Sequence, residues 1–430
     1  MTDAAPIPPA ERIAAIDTVR GLAVLGILVM NIVEFGLPMR AYGNPTAAGG
    51  HDGADLWTWL VQEALFDGRM RALFSLLFGA GMVLLSDRLR ATGRGALAAD
   101  LLLRRCLWLI PFGIVHRFVL QWTGDILYIY GLLGVLAVGL RDLRPRTHVI
   151  AGLLALAAFV PIEYRKYAAA AEQRAQAATA ATLGAEAQPL PAAVEAGAAR
   201  WERRLKAAPA DANDEELGAI RGSWLDVARF RWDHNHSFQS VYVYQYFFWD
   251  VIGMLLLGMG LARLGYFTAA SPTWVHVAAI AGGAVATTVS FLLANAWAAT
   301  DWSRGAIELL FYKDASYAFC RLLGGLGWAS ALILMVRAGA LRWLTGALAA
   351  VGRMAFSNYV LQTLLCTALF FGWGLGWYGT LSRSQTMWCV LAVSLVQVAF
   401  SVLWQRRFRC GPLEWCWRSL TYWRRQPLVG

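Results

Sequence analysis

Residues 20–40 read RGLAVLGILVMNIVEFGLPMR, a run that is almost entirely apolar between its two terminal arginines. A membrane-spanning helix satisfies its backbone hydrogen bonds internally and needs about 20 such residues. Comparable runs recur along the 430-residue chain. The sequence therefore predicts an all-α polytopic membrane protein with about ten transmembrane helices.

The predicted spans lie near residues 22–40, 70–86, 106–122, 126–140, 148–163, 243–262, 274–296, 317–336, 354–376 and 386–404. An even number of crossings puts both termini on the same side of the membrane. The short connections on that side carry Arg88, Arg90, Arg94, Arg141, Arg144, Arg146, Arg263, Arg337 and Arg342, and the tail carries Arg406, Arg407 and Arg409. Because cytoplasmic connections are enriched in basic residues, we expect a multi-pass membrane protein with both termini cytoplasmic.

The composition is that of a membrane protein. Hydrophobic residues make up 58% of the chain and charged residues 15%, whereas soluble domains carry about 25% charged residues. The net charge of +10 comes from arginines that flank apolar runs, as anionic headgroups favour, so we expect no nucleic-acid partner. The six cysteines show no CxxC spacing, and we expect no metal.

One connection, of about 80 residues between Glu163 and Ser240, is far longer than the others. It is rich in alanine with interspersed charges, which predicts solvated helices, and the QPLP stretch at 188–191 should interrupt them. The expected division is an N-terminal transmembrane bundle (1–163), an external helical insertion (164–240) and a C-terminal transmembrane domain (241–430).

Two polar side chains of the first span, Arg20 and Asn31, are candidates for a site. They are eleven residues apart, which places them about 16 Å apart along a helix, with Arg20 near the cytoplasmic edge. Such groups cost several kcal/mol in a bilayer unless they have partners or face a polar cavity. The simpler interpretation is a snorkelling arginine, ion-paired with Asp17, and an asparagine that packs between helices.

His116 follows the basic end of the third span at a similar spacing, so it should lie at the depth of Asn31. A neutral imidazole there can accept and return a proton, which acyl transfer and proton coupling both require. The alternative is a packing histidine. Asp125, in the turn after this span, could orient or charge-balance the imidazole or cap the next helix, and its spacing favours the cap.

A pair of arginines, Arg69 and Arg71, lies at the start of the second span, on the side that is otherwise poor in basic residues. Because the pair departs from the positive-inside pattern, we interpret it as a candidate contact for an anionic or carboxylate group of the substrate. The competing interpretation is an ion pair with Asp67.

The candidate residues belong to longer motifs spread over almost the whole chain. These are DTVRG (17–21), GILVMN (26–31), FSLLFGAG (74–81), GIVH (113–116), GDIL (124–127), GRMAFSNYVLQ (352–362) and GPLEWCWR (411–418). In these motifs the chain resembles the YeiB family of bacterial inner-membrane proteins, which end in a domain of unknown function. Its N-terminal half is similar to the transmembrane acyltransferase superfamily, which includes bacterial sugar O-acetyltransferases and the heparan-α-glucosaminide N-acetyltransferase.

The resemblance implies an acyl-CoA donor, typically acetyl-CoA, on the cytoplasmic side and an acceptor on the far side. The O-acetyltransferase motif has a histidine eleven residues after the first-helix arginine, where this chain has Asn31. The heparan-type branch is similar to this chain in carrying asparagine there. His116 is then the first substitute for the missing histidine, and His51 in the first external loop is the second.

We expect a membrane acyltransferase in which Arg20 and its basic neighbours hold the anionic donor and His116 deprotonates an acceptor hydroxyl or amine. The acceptor is a glycan, a lipid or a small molecule; membrane lipids are further partners, and a homodimer is left open. The alternative is a secondary transporter with a path along Arg20, Arg71 and His116, because intramembrane ionisable groups mark transport as readily as catalysis. A scaffold without catalysis is a third option.

Overall fold

The structure, a computed structural model, describes residues 14–206, 208–209, 211–268 and 271–429. Within these ranges the helices are α1 (Ala14–Gly36), α2 (Arg40–Gly43), α3 (Gly53–Val61), α4 (Arg69–Ala91), α5 (Leu97–Ile114), α6 (Leu127–Leu140), α7 (Pro145–Ala157), α8 (Phe159–Ala185), α9 (Ala192–Leu205), α10 (Asp214–Ile220), α11 (Trp224–Ser237), α12 (Phe248–Arg263), α13 (Thr273–Ala298), α14 (Ile307–Arg337), α15 (Arg342–Arg353), α16 (Ala355–Phe370), α17 (Arg383–Trp404) and α18 (Pro412–Tyr422). π-Helical segments cover Gln62–Phe66, Val115–Val119 and Phe238–Phe247. Both chain termini, and with them the prediction of their side, lie outside the described residues.

Six helical stretches of the described residues are long and apolar enough to cross a membrane: α1, Gly53–Ala91, Pro145–Ala185, α13, α14 and α17. The segments Trp224–Gln245 and Phe248–Arg263, which meet at 59°, would add a seventh if they form one broken span. The shorter apolar helices α6 and α16 have 14 and 16 residues. The prediction of an all-α polytopic membrane protein is thus confirmed, whereas the number of ten spans stays a prediction.

The helix α1 lies inside the bundle, where it packs against α4, α15, α16 and α17. Two glycines allow its first turns to approach α15 closely. A Cβ atom at Gly21 would lie 1.9 Å from the carbonyl oxygen of Leu348, and one at Gly352 would lie 1.9 Å from that of Asp17. The motifs at 17–21 and 352–362 are therefore in direct contact, although they belong to opposite halves of the chain.

The predicted insertion begins as the continuation of a span. Together α7 and α8 form the 41-residue stretch Pro145–Ala185. At about 1.5 Å per residue it is about 60 Å long, twice the thickness of a bilayer core. The helix ends before the QPLP stretch, as predicted, and α9 packs back on α8. An ion pair between Arg174 and Glu308, 2.6 Å apart, connects this hairpin to α14.

The last part of the insertion, α10 and α11, packs on the loops at one end of the bundle. Glu216 accepts hydrogen bonds from the Met39 amide at 2.9 Å and from the Tyr378 hydroxyl at 2.6 Å. Arg231 donates to the carbonyl oxygen of Gln121. These two helices therefore make close contact with bundle loops, and the domain division at residues 163 and 240 stays a prediction.

Candidate functional site

Two cavities lie one behind the other along α1. The first, which we call the arginine cavity, measures about 200 Å³ and lies beside Arg20 at the start of the helix. The second, the carboxylate cavity, measures about 500 Å³ and lies beside Asn31 and Glu34 near the end of the helix. Ile126 contributes to the lining of both cavities. A thin septum therefore separates the two spaces.

Four half-buried arginines from four different helices line the arginine cavity: Arg20, Arg105, Arg353 and Arg418. Arg20 forms the predicted ion pair with Asp17 at 3.1 Å. The guanidinium carbon of Arg105 lies 4.4 Å from the centre of the Trp417 ring. Most of the remaining lining is apolar, with Phe74, Leu77, Phe78, Leu102 and Leu109 among its residues. The cavity thus combines a group of cations with an apolar wall.

The lining of the arginine cavity contains one carboxylate, that of Glu414. Glu414 accepts hydrogen bonds from the backbone amides of Phe356 and Ser357, at 2.7 and 3.2 Å, and from the Ser357 hydroxyl. Burial raises the pKa of Glu414 above its usual value, although these hydrogen bonds oppose the increase. The lining thus has one carboxylate, held by α16, against four guanidinium groups. The resulting net positive charge favours an anionic ligand.

The polar lining of the carboxylate cavity consists mainly of Asn31, Glu34, Tyr42, Asp67, Arg71, Thr123, Asp125, His234 and Tyr317. Glu34 accepts a hydrogen bond from the Thr123 hydroxyl. Arg71 lies 3.4 Å from Asp250, a carboxylate that also pairs with Arg321. The cavity therefore offers mostly hydrogen-bond acceptors, which suit a ligand that carries hydroxyl or amine groups.

The septum consists of residues 124–126 together with Tyr359 of α16. The Tyr359 hydroxyl donates to the Gly124 carbonyl oxygen at 3.0 Å and accepts from the Trp122 indole N–H at 3.0 Å and the Ile126 amide at 3.3 Å. Tyr359 lines the arginine cavity, and Asp125 lines the carboxylate cavity. A side chain from the C-terminal half thus holds the turn that stands between the two cavities.

His116 is absent from both linings and lies against the septum. It belongs to the π-helical turn Val115–Val119 that follows α5, shortly after Pro111, which removes one backbone donor from that helix. The side chain is 1% exposed. Its Nδ1 atom lies 2.8 Å from Asp125 Oδ1, and its Nε2 atom lies 2.8 Å from Thr363 Oγ1. Both ring nitrogens are therefore hydrogen-bonded inside the bundle.

Asp125 has two structural roles that the sequence presented as alternatives. Its carboxylate binds the His116 imidazole, and it also accepts hydrogen bonds from the amides of Leu127 and Tyr128, at 3.2 and 3.0 Å. These two amides are the first of α6 and have no partner within the helix. Asp125 thus caps α6 and orients the imidazole at the same time.

Some of the remaining sequence-predicted residues line a cavity, and others do not. Asn31 and Arg71 line the carboxylate cavity, as does Asp125. Arg69 is buried and donates to the Glu63 carbonyl oxygen at 3.0 Å and to the Ser290 hydroxyl at 2.9 Å. His51 is exposed and contacts the Trp302 ring edge-on. Neither Arg69 nor His51 lines either of the two cavities, so a substrate contact for these two residues stays a prediction.

Sequence reasoning assigned no role to several residues of the site: Glu34, Arg105, Arg353, Tyr359, Thr363 and Arg418. Glu34 carries the clearest overlooked signal, because a carboxylate inside an apolar run must find a partner or a polar space. Arg353 and Arg418 belong to motifs that the sequence analysis identified. Their spacing, however, does not reveal that they come together with Arg20.

Comparisons with known proteins found one matching family model and similar bacterial proteins. A family model described as a protein of unknown function, DUF418, matches residues 261–424, which include α16 and α18. The chain is 31% identical over 429 residues to the uncharacterized protein YeiB of Escherichia coli (strain K12), with 96% of each chain covered. It is 28% identical to the uncharacterized protein YxaH of Bacillus subtilis (strain 168), with 97% of this chain and 96% of the relative covered. No solved structure matches the chain.

Proposed function

This chain belongs to the YeiB family, and we propose that it is a membrane acyltransferase. It moves an acyl group, acetyl in the simplest case, from coenzyme A in the arginine cavity to a glycan, lipid or small-molecule acceptor in the carboxylate cavity. The observation that carries this proposal is the pair of chemically different cavities on either side of one septum. A transfer reaction needs two such binding sites that converge on the reacting atoms.

The arginine cavity suits an acyl-CoA donor in charge, and its volume fits one part of that donor. The nucleotide of coenzyme A carries phosphates, which guanidinium groups bind through paired hydrogen bonds. A volume of about 200 Å³ is too small for the whole molecule. The nucleotide would therefore stay near Arg105, Arg353 and Arg418, and the acyl-pantetheine arm would extend along the apolar wall toward Tyr359.

The proposed orientation directs the arginine cavity toward the cytoplasm of a bacterial inner membrane, where acyl-CoA is available. Three basic connections meet at that end of the bundle. Arg263 pairs with Asp87 at 2.7 Å, and Arg90 pairs with Asp142. Because connections rich in arginine are retained in the cytoplasm, this clustering supports the same side for the cavity.

His116 is the proposed general base. With its Nδ1 proton donated to Asp125, Nε2 is the basic atom. It removes the proton of an attacking hydroxyl or amine, that group attacks the acyl carbonyl, and the proton passes to the leaving group. Asn31 lines the carboxylate cavity and would hydrogen-bond to the acceptor there.

Donor binding tests the proposal most directly. Isothermal titration of the purified protein in nanodiscs with acetyl-CoA should show saturable binding. The variants Arg105→Gln and Arg418→Gln should each raise the Kd about tenfold, because each loses a charge-assisted hydrogen bond of about 1.5 kcal/mol. The control Arg342→Gln should bind normally, since Arg342 is exposed on α15 and does not line the cavity.

A different result would favour the transporter. If the wild-type protein neither binds nor consumes acetyl-CoA, while proteoliposomes show saturable solute uptake that His116→Ala abolishes, secondary transport replaces acyl transfer.

A further inference from the structure

A threonine, a histidine and an aspartate form one hydrogen-bonded chain beside the septum. Thr363 Oγ1 lies 2.8 Å from His116 Nε2, and His116 Nδ1 lies 2.8 Å from Asp125 Oδ1. Each of the three residues is only 1% exposed. The order of groups, hydroxyl, imidazole and carboxylate, is the one that activates a nucleophile for acyl transfer in enzymes of unrelated folds.

Asp125 determines which imidazole nitrogen is basic. Its carboxylate is held by the amides of Leu127 and Tyr128 at the N-terminus of α6, where the helix dipole stabilises negative charge. Because both carboxylate oxygens of Asp125 accept hydrogen bonds from amides, we assign the proton of this contact to the Nδ1 atom of His116. The Nε2 atom is then an acceptor, and the Thr363 hydroxyl donates to it.

The orientation of the Thr363 hydroxyl differs from that of many other helical threonines in this chain. Seven of these return the hydroxyl to the carbonyl oxygen four residues earlier: Thr18, Thr58, Thr179, Thr182, Thr288, Thr345 and Thr421. Such a local hydrogen bond is the usual choice for threonine within a helix. Thr363 instead directs its hydroxyl at His116. The imidazole therefore sets its orientation.

Thr363 also lies between residues that line the two cavities. It lies one helical turn, about 6 Å, beyond Tyr359 on α16, and Tyr359 lines the arginine cavity. The rings of His116 and Tyr359 are in edge contact, with their centres 4.9 Å apart. On the other side of His116, Asp125 lines the carboxylate cavity. Thr363 and His116 therefore lie between a residue of the arginine-cavity lining and a residue of the carboxylate-cavity lining.

We infer that Thr363 is a catalytic nucleophile that carries the acyl group past the septum as an ester. The inference rests on the acyl transfer proposed above. In the first step His116 Nε2 takes the Thr363 proton, Oγ1 attacks the thioester carbonyl, the carbon–sulfur bond breaks, and coenzyme A leaves as a thiol with the proton from His116. The enzyme then holds acyl-Thr363 and a neutral His116.

In the second step His116 takes the proton of the acceptor, whose oxygen or nitrogen attacks the ester carbonyl. The bond between the acyl carbon and Oγ1 breaks, and Thr363 regains its proton from His116. In net terms the acyl group has moved from the donor to the acceptor, and one proton has moved from the acceptor to the sulfur of coenzyme A, with no other reactant. The two cavities never have to be open to each other at the same time.

The acyl-enzyme can be trapped in the absence of an acceptor. Wild-type protein in nanodiscs is incubated with acetyl-CoA that carries a radiolabelled acetyl group, denatured in acid and digested, and the fragments of α16 are examined by tandem mass spectrometry. We expect an acetyl group on Thr363 and the release of an equal amount of free coenzyme A thiol. The label should survive neutral hydroxylamine, which cleaves a thioester on the neighbouring Cys366 but not an oxygen ester.

Variants distinguish the nucleophile from a structural threonine. Thr363→Ala should lose the label and slow transfer to an acceptor by about 100-fold or more, whereas Thr363→Ser should remain labelled. The matched control is Thr367→Ala on the same helix, whose hydroxyl donates to the Leu364 carbonyl oxygen at 3.3 Å. It should label and turn over like the wild type. Gel filtration and acetyl-CoA binding show whether each variant is folded. The labelling of the wild-type protein tests the inference even if a variant fails to fold.

Two results would overturn the inference, and donor binding tells them apart. If the protein binds acetyl-CoA and transfers the acetyl group, yet carries no label on Thr363 and keeps its rate in Thr363→Ala, the acceptor attacks the thioester directly and the proposed acyltransferase stands. If the protein neither binds nor consumes acetyl-CoA, the acyltransferase and the nucleophile both fail.

Discussion

The arginine cavity and the carboxylate cavity share α1 and the septum but differ in which part of the chain supplies their charges. The guanidinium groups of the first come from both halves of the chain (Arg20, Arg105, Arg353 and Arg418). The carboxylates of the second come from the N-terminal half alone (Glu34, Asp67 and Asp125). The arginine cavity therefore forms only when both halves are packed together, whereas the N-terminal half alone supplies the carboxylates of the carboxylate cavity.

The largest effect we expect concerns the side of the membrane that each cavity faces. The parent chain lacks Cys416, because this cysteine is only partly buried while the other five are buried. Single cysteines then replace the exposed residues Gly93 and Ala185. On intact cells an impermeant thiol reagent should label Ala185→Cys fully and Gly93→Cys only after permeabilisation, because Gly93 lies in an arginine-flanked connection. The reverse pattern would direct the arginine cavity away from cytoplasmic acyl-CoA.

The second effect tests whether the two cavities serve one reaction. A general base contributes about 10²–10⁴-fold to the rate, so His116→Ala should nearly abolish acyl transfer in a folded and inserted protein. Asn31→Ala should cost less, because Asn31 lines the carboxylate cavity and its proposed role is only to position a ligand there. Turnover of labelled acetyl-CoA in the presence of a membrane extract measures both. Equal losses in the two variants would contradict the separate roles.

The smallest effect sharpens the distinction between donor and acceptor sites. Glu34→Gln keeps the size of the side chain and replaces a carboxyl group that lines only the carboxylate cavity. Losing one hydrogen bond of about 1.4 kcal/mol to the acceptor should raise its KM about tenfold and leave the Kd for acetyl-CoA unchanged. A parallel change in donor affinity would show that the septum does not separate the two sites energetically.

The arginine pair at the start of α4 shows how far residue pattern alone leads. Arg69 and Arg71 look equivalent in the sequence, since both depart from the positive-inside pattern. Residues two positions apart point to different sides of a helix, however. In the structure Arg71 lines the carboxylate cavity, whereas the Arg69 guanidinium is enclosed by the Glu63 carbonyl oxygen and Ser290. Which side meets a cavity depends on the neighbouring helices.

The sequence by itself determined the all-α membrane class and the helix break before residue 192, because apolar runs and prolines act locally. It also identified His116 and Asp125 as candidate site residues, which are nine residues apart and interact across a single turn. Only the tertiary structure decided that Thr363, 247 residues from His116, completes the chain of hydrogen bonds. Contacts between distant helices depend on the packing of whole surfaces, and no local period of the sequence encodes them.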